Sequence, residues 1–393
     1  MAVLVVAASV LPPSATAVSG QLRVLYVLAT WGPRPFSVAQ TQRVADETDA
    51  FFRASSAGRF AMPGTVADWI TLERAVFDAC SATALRLETP TALLAGYDRV
   101  AFLTPPVSRC QFAGEADPSE VLLNGRLSRP LAAHELGHTL GLGHASSYLC
   151  EGRACRVEEY GSLFSTMGGG SGDFNAFEKR QLDWLTSFLR AERNGAFEIG
   201  PVEGPTTLPQ ALVVVTARNE YWFESRSLPT PSFNGTQVQP PGVVAIAGPV
   251  GADSSLPREN LVLPNPNGGG RYAYGAGESF VEAGAFRLTV AGHSGNASLR
   301  FEWIDRTRPT RPRLRATALR GGRARLEWDA PVERGSGLAS YSLYVDGRVV
   351  RQADPIAYSS VLHLGRGRHL VGIAATDRAG NRGPAAAVRL RLR

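Results

Sequence analysis

The stretch HELGHTLGLGH, residues 134 to 144, limits this chain more than any other part of its sequence. It gathers three of the chain's six histidines and one glutamate into eleven of 393 residues. LAAHELGHTL has the residue types of a helix from about Leu131 to Leu140, preceded by Pro130. Gly141 and Gly143 end that helix, because glycine readily adopts the left-handed backbone a helix stop requires. On a helix His134 and His138 stand one turn apart on the same face. Two imidazoles so placed bind one Zn2+ through neutral nitrogens. The sharp turn at Gly141 lets His144 come back to the same metal. Glu135 adjoins the first ligand, where it reaches a water whose pKa zinc lowers towards ~7, and it passes that proton to a leaving amine. The bland alternative is a helix whose histidines face solvent. Three histidines around a glycine bend weigh against it.

The rest of the chain frames this motif. A length of 393 residues implies two or three domains. The composition is globular, at 44% hydrophobic and 19% charged, with no apolar run long enough to span a bilayer. Arginine supplies nearly all of the positive charge behind the formal +6. It is spread along the chain without a basic helix or interleaved aromatics, so we expect no nucleic-acid partner. Residues 1–17, MAVLVVAASVLPPSATA, have the apolar core and Ala-Thr-Ala end of a secretory signal, although a basic n-region is missing. Cys80, Cys110, Cys150 and Cys155 fit an exported protein with two disulfides. Proximity favours Cys150 with Cys155 and leaves Cys80 with Cys110, though four cysteines allow three pairings.

LRVLYVLAT and YDRVAFLTP read as buried strands, and VAQTQRVADETDAFFRASS as a helix stopped by Gly58. A second helix is expected around ERAVFDACSATALRL, and short strands in RFAMPGTVADWITL. A loop carrying two cysteines follows the histidines. NAFEKRQLDWLTSFLRAE then predicts an amphipathic helix capped by Asn175, with Glu178 and Asp183 as solvated charges. Beyond about residue 195 short alternating runs such as ALVVVTA, YWFESR, GVVAIAG, GAFRLTV and ASLRFEWI predict a β-sandwich. A Pro- and Arg-rich linker leads to a second set of strands. The expected division is 1–17 signal, 18–195 α+β catalytic domain, 196–306 β-sandwich, 307–315 linker and 316–393 a second sandwich.

HExxHxxGxxH followed by Met167 in FSTMGGG resembles the metzincin zinc metallopeptidases, whose second mark is a methionine turn under the metal. Within them HELGHTLGLGHA, EYGSLFSTMG and FNAFEKRQLDWL, with SAGRFAMPGTVADWITL and RCQFAGEA upstream, are similar to the gametolysin-like peptidases over residues 22 to 190. The resemblance implies zinc held by His134, His138 and His144, Glu135 as general base, Met167 as the Met-turn residue, and a protein or peptide substrate. The sequence departs from the family at Ser162, where Tyr-Gly-Asp is usual, and at Gly169, where some metzincins carry an extra tyrosine ligand. The sequence shows no pro-segment ahead of the domain, so cysteine-switch latency is not expected unless one lies on a longer N-terminus. Tyr160 is a candidate oxyanion donor, set against a buried structural tyrosine. Trp328, Tyr341, Tyr344 and TDRAGNRGP resemble a fibronectin type III or Ig-like module, a candidate for contact with an extracellular polymer or surface. The rival reading is a polymer- or surface-binding protein with an inactive metal domain, against which the intact Glu135 stands.

Overall fold

The structure is a computed structural model that describes residues 18–72, 80–151, 154–185, 187–249, 258–268 and 270–393. The signal-like segment 1–17 and the first part of the ERAVFDACSATALRL stretch lie outside the described residues. So do the side chains of Cys150 and Cys155. The chain is multidomain and mostly β-sheet, with few helices among the described residues.

Val24–Thr30 is buried at every position, as a strand covered on both faces must be. It lies in a sheet ordered Gly64–Val66, Val24–Thr30, Arg99–Thr104, Glu120–Asn124 and Gly114–Ala116, with Ile70–Thr71 also pairing Val24–Thr30. All of these pairs are parallel except the last, where Gly114–Ala116 forms an antiparallel edge. On one face Val38–Ser55 and Arg129–His138 cover Tyr26, Leu28, Leu103 and Leu123. On the other, Leu25, Val27 and Phe102 pack with Ala82 and Leu85 of the Ala82–Glu88 helix. Cys80 and Cys110 are disulfide-bonded, with Cα atoms 5.4 Å apart.

Three local expectations change. The cysteine-bearing loop is a β-hairpin, Leu142–Glu151 against Ala154–Glu158, which sets Cys150 opposite Cys155. Gly141 takes the left-handed turn at φ 89°, whereas Gly143 belongs to the following strand. The helix expected across NAFEKRQLDWLTSFLRAE runs only from Ala176 to Gln181, with Asn175 as its cap. Asp183 turns the chain at φ 59°. Trp184 then buries itself against Phe52, Phe60 and Phe174, and Leu189–Arg190 becomes a strand.

A seven-stranded sheet follows, ordered Ala154–Glu158, Leu142–Glu151, Arg258–Val262, Gly242–Pro249, Asn219–Arg226, Ala211–Val215 and Leu189–Arg190. Strands from both sides of residue 195 therefore share one sheet. A four-stranded sheet of Gly195–Ile199, Asn296–Trp303, Phe286–Ser294 and Ser279–Glu282 packs on one face, through Leu212, Tyr221, Phe223, Phe280, Phe286 and Phe301. The opposite face buries Phe164, Phe177, Trp222 and Ile246. The last region pairs a three-stranded sheet (Arg313–Leu319, Arg323–Asp329, Ser359–His363) with a four-stranded one (Arg348–Ala353, Leu338–Val345, Gly367–Asp377, Ala386–Leu392). Trp328 and Tyr341 fill its core, whereas Tyr344 faces outward beneath Arg382.

Candidate metal centre

The helix that carries the motif runs Arg129–His138, with Ser128 as its cap accepting from Leu131 N. His134 is buried at 4% exposure and His138 lies one turn on, half-buried. The turn at Gly141 leads into Leu142–Glu151, which returns His144 to the other two. The Nε2 atoms of His134 and His138 lie 3.1 Å apart, and those of His138 and His144 lie 3.2 Å apart.

Each ring is tied at its other nitrogen. Nδ1 of His134 lies 2.8 Å from Thr166 O, Nδ1 of His138 lies 2.8 Å from Leu142 O, and Nδ1 of His144 lies 2.9 Å from Glu159 Oε1. Carbonyl and carboxylate oxygens only accept, so each Nδ1 carries a proton, and each ring turns its Nε2 inward. Burial, with His138 next, lowers the pKa of His134 to about 3, and burial lowers that of His138 as well. Both rings are thus neutral near pH 7. Converging lone pairs repel one another, and a shared cation relieves that repulsion. Zn–N bonds of ~2.0–2.1 Å set in a tetrahedron place their nitrogens about 3.3 Å apart, so the donor set fits such an ion.

Glu135 is 5% exposed, and burial, then Glu115, raises its carboxyl to about 8. It lies under the edge strand, where a Cβ on Gly114 would come within 2.7 Å of Glu135 Cδ. Met167 is fully buried beneath the helix, and a Cβ on Gly137 would fall 2.6 Å from its Sδ.

Tyr160 is 44% exposed, which rules out the buried structural role weighed for it. Its backbone sits at φ 60°, and its ring lies 4.1 Å from that of His144 and 5.7 Å from that of His134. No family model matches this chain, and no curated protein does. Among solved structures it is similar to archaemetzincin from Methanopyrus kandleri, at 21% identity over 44% of this chain and 97% of that one, with a TM-score of 0.26. It is similar to fibronectin(III)-like modules of Clostridium thermocellum CbhA at 17% identity, over 21% of this chain and 97% of that one, with a TM-score of 0.19. A third likeness, to the Clostridium perfringens spore cortex lytic enzyme SleM, has 18% identity and a TM-score of 0.20, over 26% of this chain and only 38% of that one. At such TM-scores none of the three decides the chemistry, which rests on the site's own geometry.

Glu178 is not the solvated charge expected of it; it is fully buried. Its carboxylate accepts from Ser165 Oγ at 2.6 Å, Asn175 N at 2.9 Å and Asn260 Nδ2 at 3.0 Å. Ser165 Oγ in turn accepts from Met167 N at 2.9 Å. A polar network therefore holds the methionine segment from below. Its local signature is the capping box of Asn175 and Glu178, while Asn260 has no signal near the motif. Asp183 is exposed, as expected. Glu159 and Gly114 also escaped the sequence reading, because neither belongs to the histidine spacing.

Proposed function

We propose that this chain is a secreted, zinc-dependent endopeptidase of the metzincin type, similar to the gametolysin-like family, acting on protein or peptide substrates. The observation that carries the reading is the outward tethering of all three Nδ1 atoms, which leaves the three Nε2 atoms gathered together. His134, His138 and His144 would hold Zn2+ above Met167. Bound there, zinc supplies Lewis acidity towards the scissile carbonyl and lowers the pKa of a water. Glu135, next to His134 in sequence, would be held ionised by a cation at the histidines despite its burial, and in that form takes the proton of the attacking water and returns it to the leaving nitrogen. Tyr160, exposed with its ring beside that of His144, would donate from its hydroxyl to the oxygen on which negative charge develops.

Among the described residues Gly114–Ala116 is the last strand of its sheet, an edge on which an extended substrate strand would pair, and the missing side chain of Gly114 leaves room for Glu135 beside it. Water attacks directly and no acyl-enzyme forms. We assign residues 1–17 to a secretory signal, 18–195 to the peptidase body, 196–306 to a β-sandwich, 307–315 to a linker and 316–393 to a fibronectin type III-like module that contacts an extracellular polymer or surface. The deciding experiment is cleavage of an unfolded protein by the purified chain, beside Glu135→Ala and a chelator-treated sample. Loss of cleavage in both controls is expected. Absence of bound zinc, or cleavage undiminished in Glu135→Ala, would refute the reading.

A further inference from the structure

A hairpin from the second half of the chain reaches the metal centre. Its strands, Thr230–Pro231 and Val238–Gln239, pair antiparallel. The intervening loop is stiffened from within: Asn234 Oδ1 accepts from Ser232 Oγ at 2.8 Å, Thr236 Oγ1 at 2.7 Å and Thr236 N at 3.1 Å. The hairpin docks on the segment just after Met167. Ser171 N donates to Pro231 O and Phe233 N donates to Gly169 O, each at 2.9 Å, and Gly170 bridges Ser232.

That segment reads Gly168-Gly169-Gly170-Ser171-Gly172, so it offers almost no side chain to a substrate. Its glycines are sterically required. A Cβ on Gly168 would lie 2.6 Å from Ala145 O, one on Gly169 would lie 2.9 Å from Tyr160 O, and one on Gly170 would lie 2.7 Å from Leu163 C. The hairpin presents Phe233 where the glycines present nothing. The ring of Phe233 stands 6.2 Å from that of His134, edge to face at 81°. Yet 40% of Phe233 remains exposed, a large apolar surface held open beside a buried histidine by a loop with its own hydrogen bonds.

We propose that Phe233 is a wall of the substrate cleft and selects substrates with a large apolar side chain beside the scissile bond. This rests on the peptidase reading and adds to it that the β-rich region following residue 195 takes part in specificity. The test uses the full-length, zinc-loaded chain and two matched series, quenched-fluorescent peptides and peptide hydroxamates, each carrying Ala, Leu or Phe next to the reacting group. The wild type should favour Leu and Phe over Ala by about tenfold or more in kcat/KM, the scale that a few methylenes contribute in an apolar pocket. Phe233→Ala should reduce that ratio to about twofold, mainly through KM, with zinc content unchanged. Phe233→Leu, the variant to use should Phe233→Ala fold poorly, should keep the preference for Leu while weakening that for Phe. An unchanged ratio in the variants overturns the wall while leaving the peptidase intact. Hydroxamates that bind with the Phe233-dependent ratio, beside peptides that stay uncut, keep the wall and overturn the peptidase. Hydroxamate binding without that ratio overturns the wall whatever the peptides do.

Discussion

Arg226, at the end of Asn219–Arg226, has a side chain with no exposed surface. Its Nε donates to Glu224 Oε1 at 2.6 Å and its Nη2 to Phe164 O at 2.5 Å, while Nη1 lies 3.5 Å from Glu203 Oε1. Glu224 is equally buried, and its other oxygen accepts from Ala176 N at 2.6 Å. Arg226→Met keeps most of the buried stem, so the cavity term is small. What it removes is the charge facing Glu224. Breaking a buried pair from one side costs ~3–5 kcal/mol, and orphaning a buried carbonyl such as that of Phe164 costs ~1–3 kcal/mol. Both losses come from one guanidinium and overlap, so we expect a destabilisation of about 4 kcal/mol.

The deficit carries a pH signature. Burial raises the Glu224 carboxyl above its ordinary value, and Arg226 opposes that rise. Without Arg226 the folded state binds the proton still more tightly than the unfolded chain does. Stability contributed by such a raised acid is present below the unfolded pKa of ~4.3 and is lost as pH climbs through the folded one. Urea denaturation followed by tryptophan fluorescence should therefore show a smaller deficit at pH 5 than at pH 8. Adding Glu224→Gln to Arg226→Met should recover part of it at pH 8. An Arg226→Met chain within about 1 kcal/mol of wild type at pH 8, or a deficit that grows towards acid, would refute the reasoning.

Three further outcomes concern the site. Glu135→Gln should lower kcat/KM by ~10²–10⁴ while elemental analysis still finds one zinc per chain; full activity would remove Glu135 from the chemistry. Glu159→Gln should weaken zinc binding ~10–100-fold in competition with a chromophoric chelator, because it removes the carboxylate that orients His144. Unchanged affinity would mean that His144 needs no such partner. Gly114→Ala should cut kcat by about tenfold or more by displacing Glu135, with secondary structure by circular dichroism unchanged. An active variant would show that the edge strand leaves Glu135 room to move.

The legible and illegible parts of this protein divide by the range over which each residue finds its partner. His134 and His138 are four apart, and Gly141 lets the chain turn back to His144, so the helix period and one glycine torsion bring them together without any distant contact. The buried Val24–Thr30 strand and the alternating strands Phe286–Ser294 and Asn296–Trp303 are local in the same sense, because each announces its own burial, whereas Ala211–Val215 and Asn219–Arg226 are buried on both faces. Length misled where local pattern and tertiary context compete. NAFEKRQLDWLTSFLRAE has the periodicity of a long helix, but Trp184 gains an aromatic pocket and Leu189–Arg190 a parallel partner only if the helix ends by Gln181. Glu178 looks solvated until Asn260, 82 positions away, is brought beside it. The same holds for Phe233, which meets His134 because its hairpin docks on the glycine segment after Met167. A short motif therefore states which atoms could hold the metal, while the surroundings of those atoms are set by residues that nothing near the motif identifies. It follows that removing the β-rich region after residue 195 would leave all three histidines in the chain and still strip Phe164 of Arg226, and Glu178, which holds the methionine segment through Ser165, of Asn260.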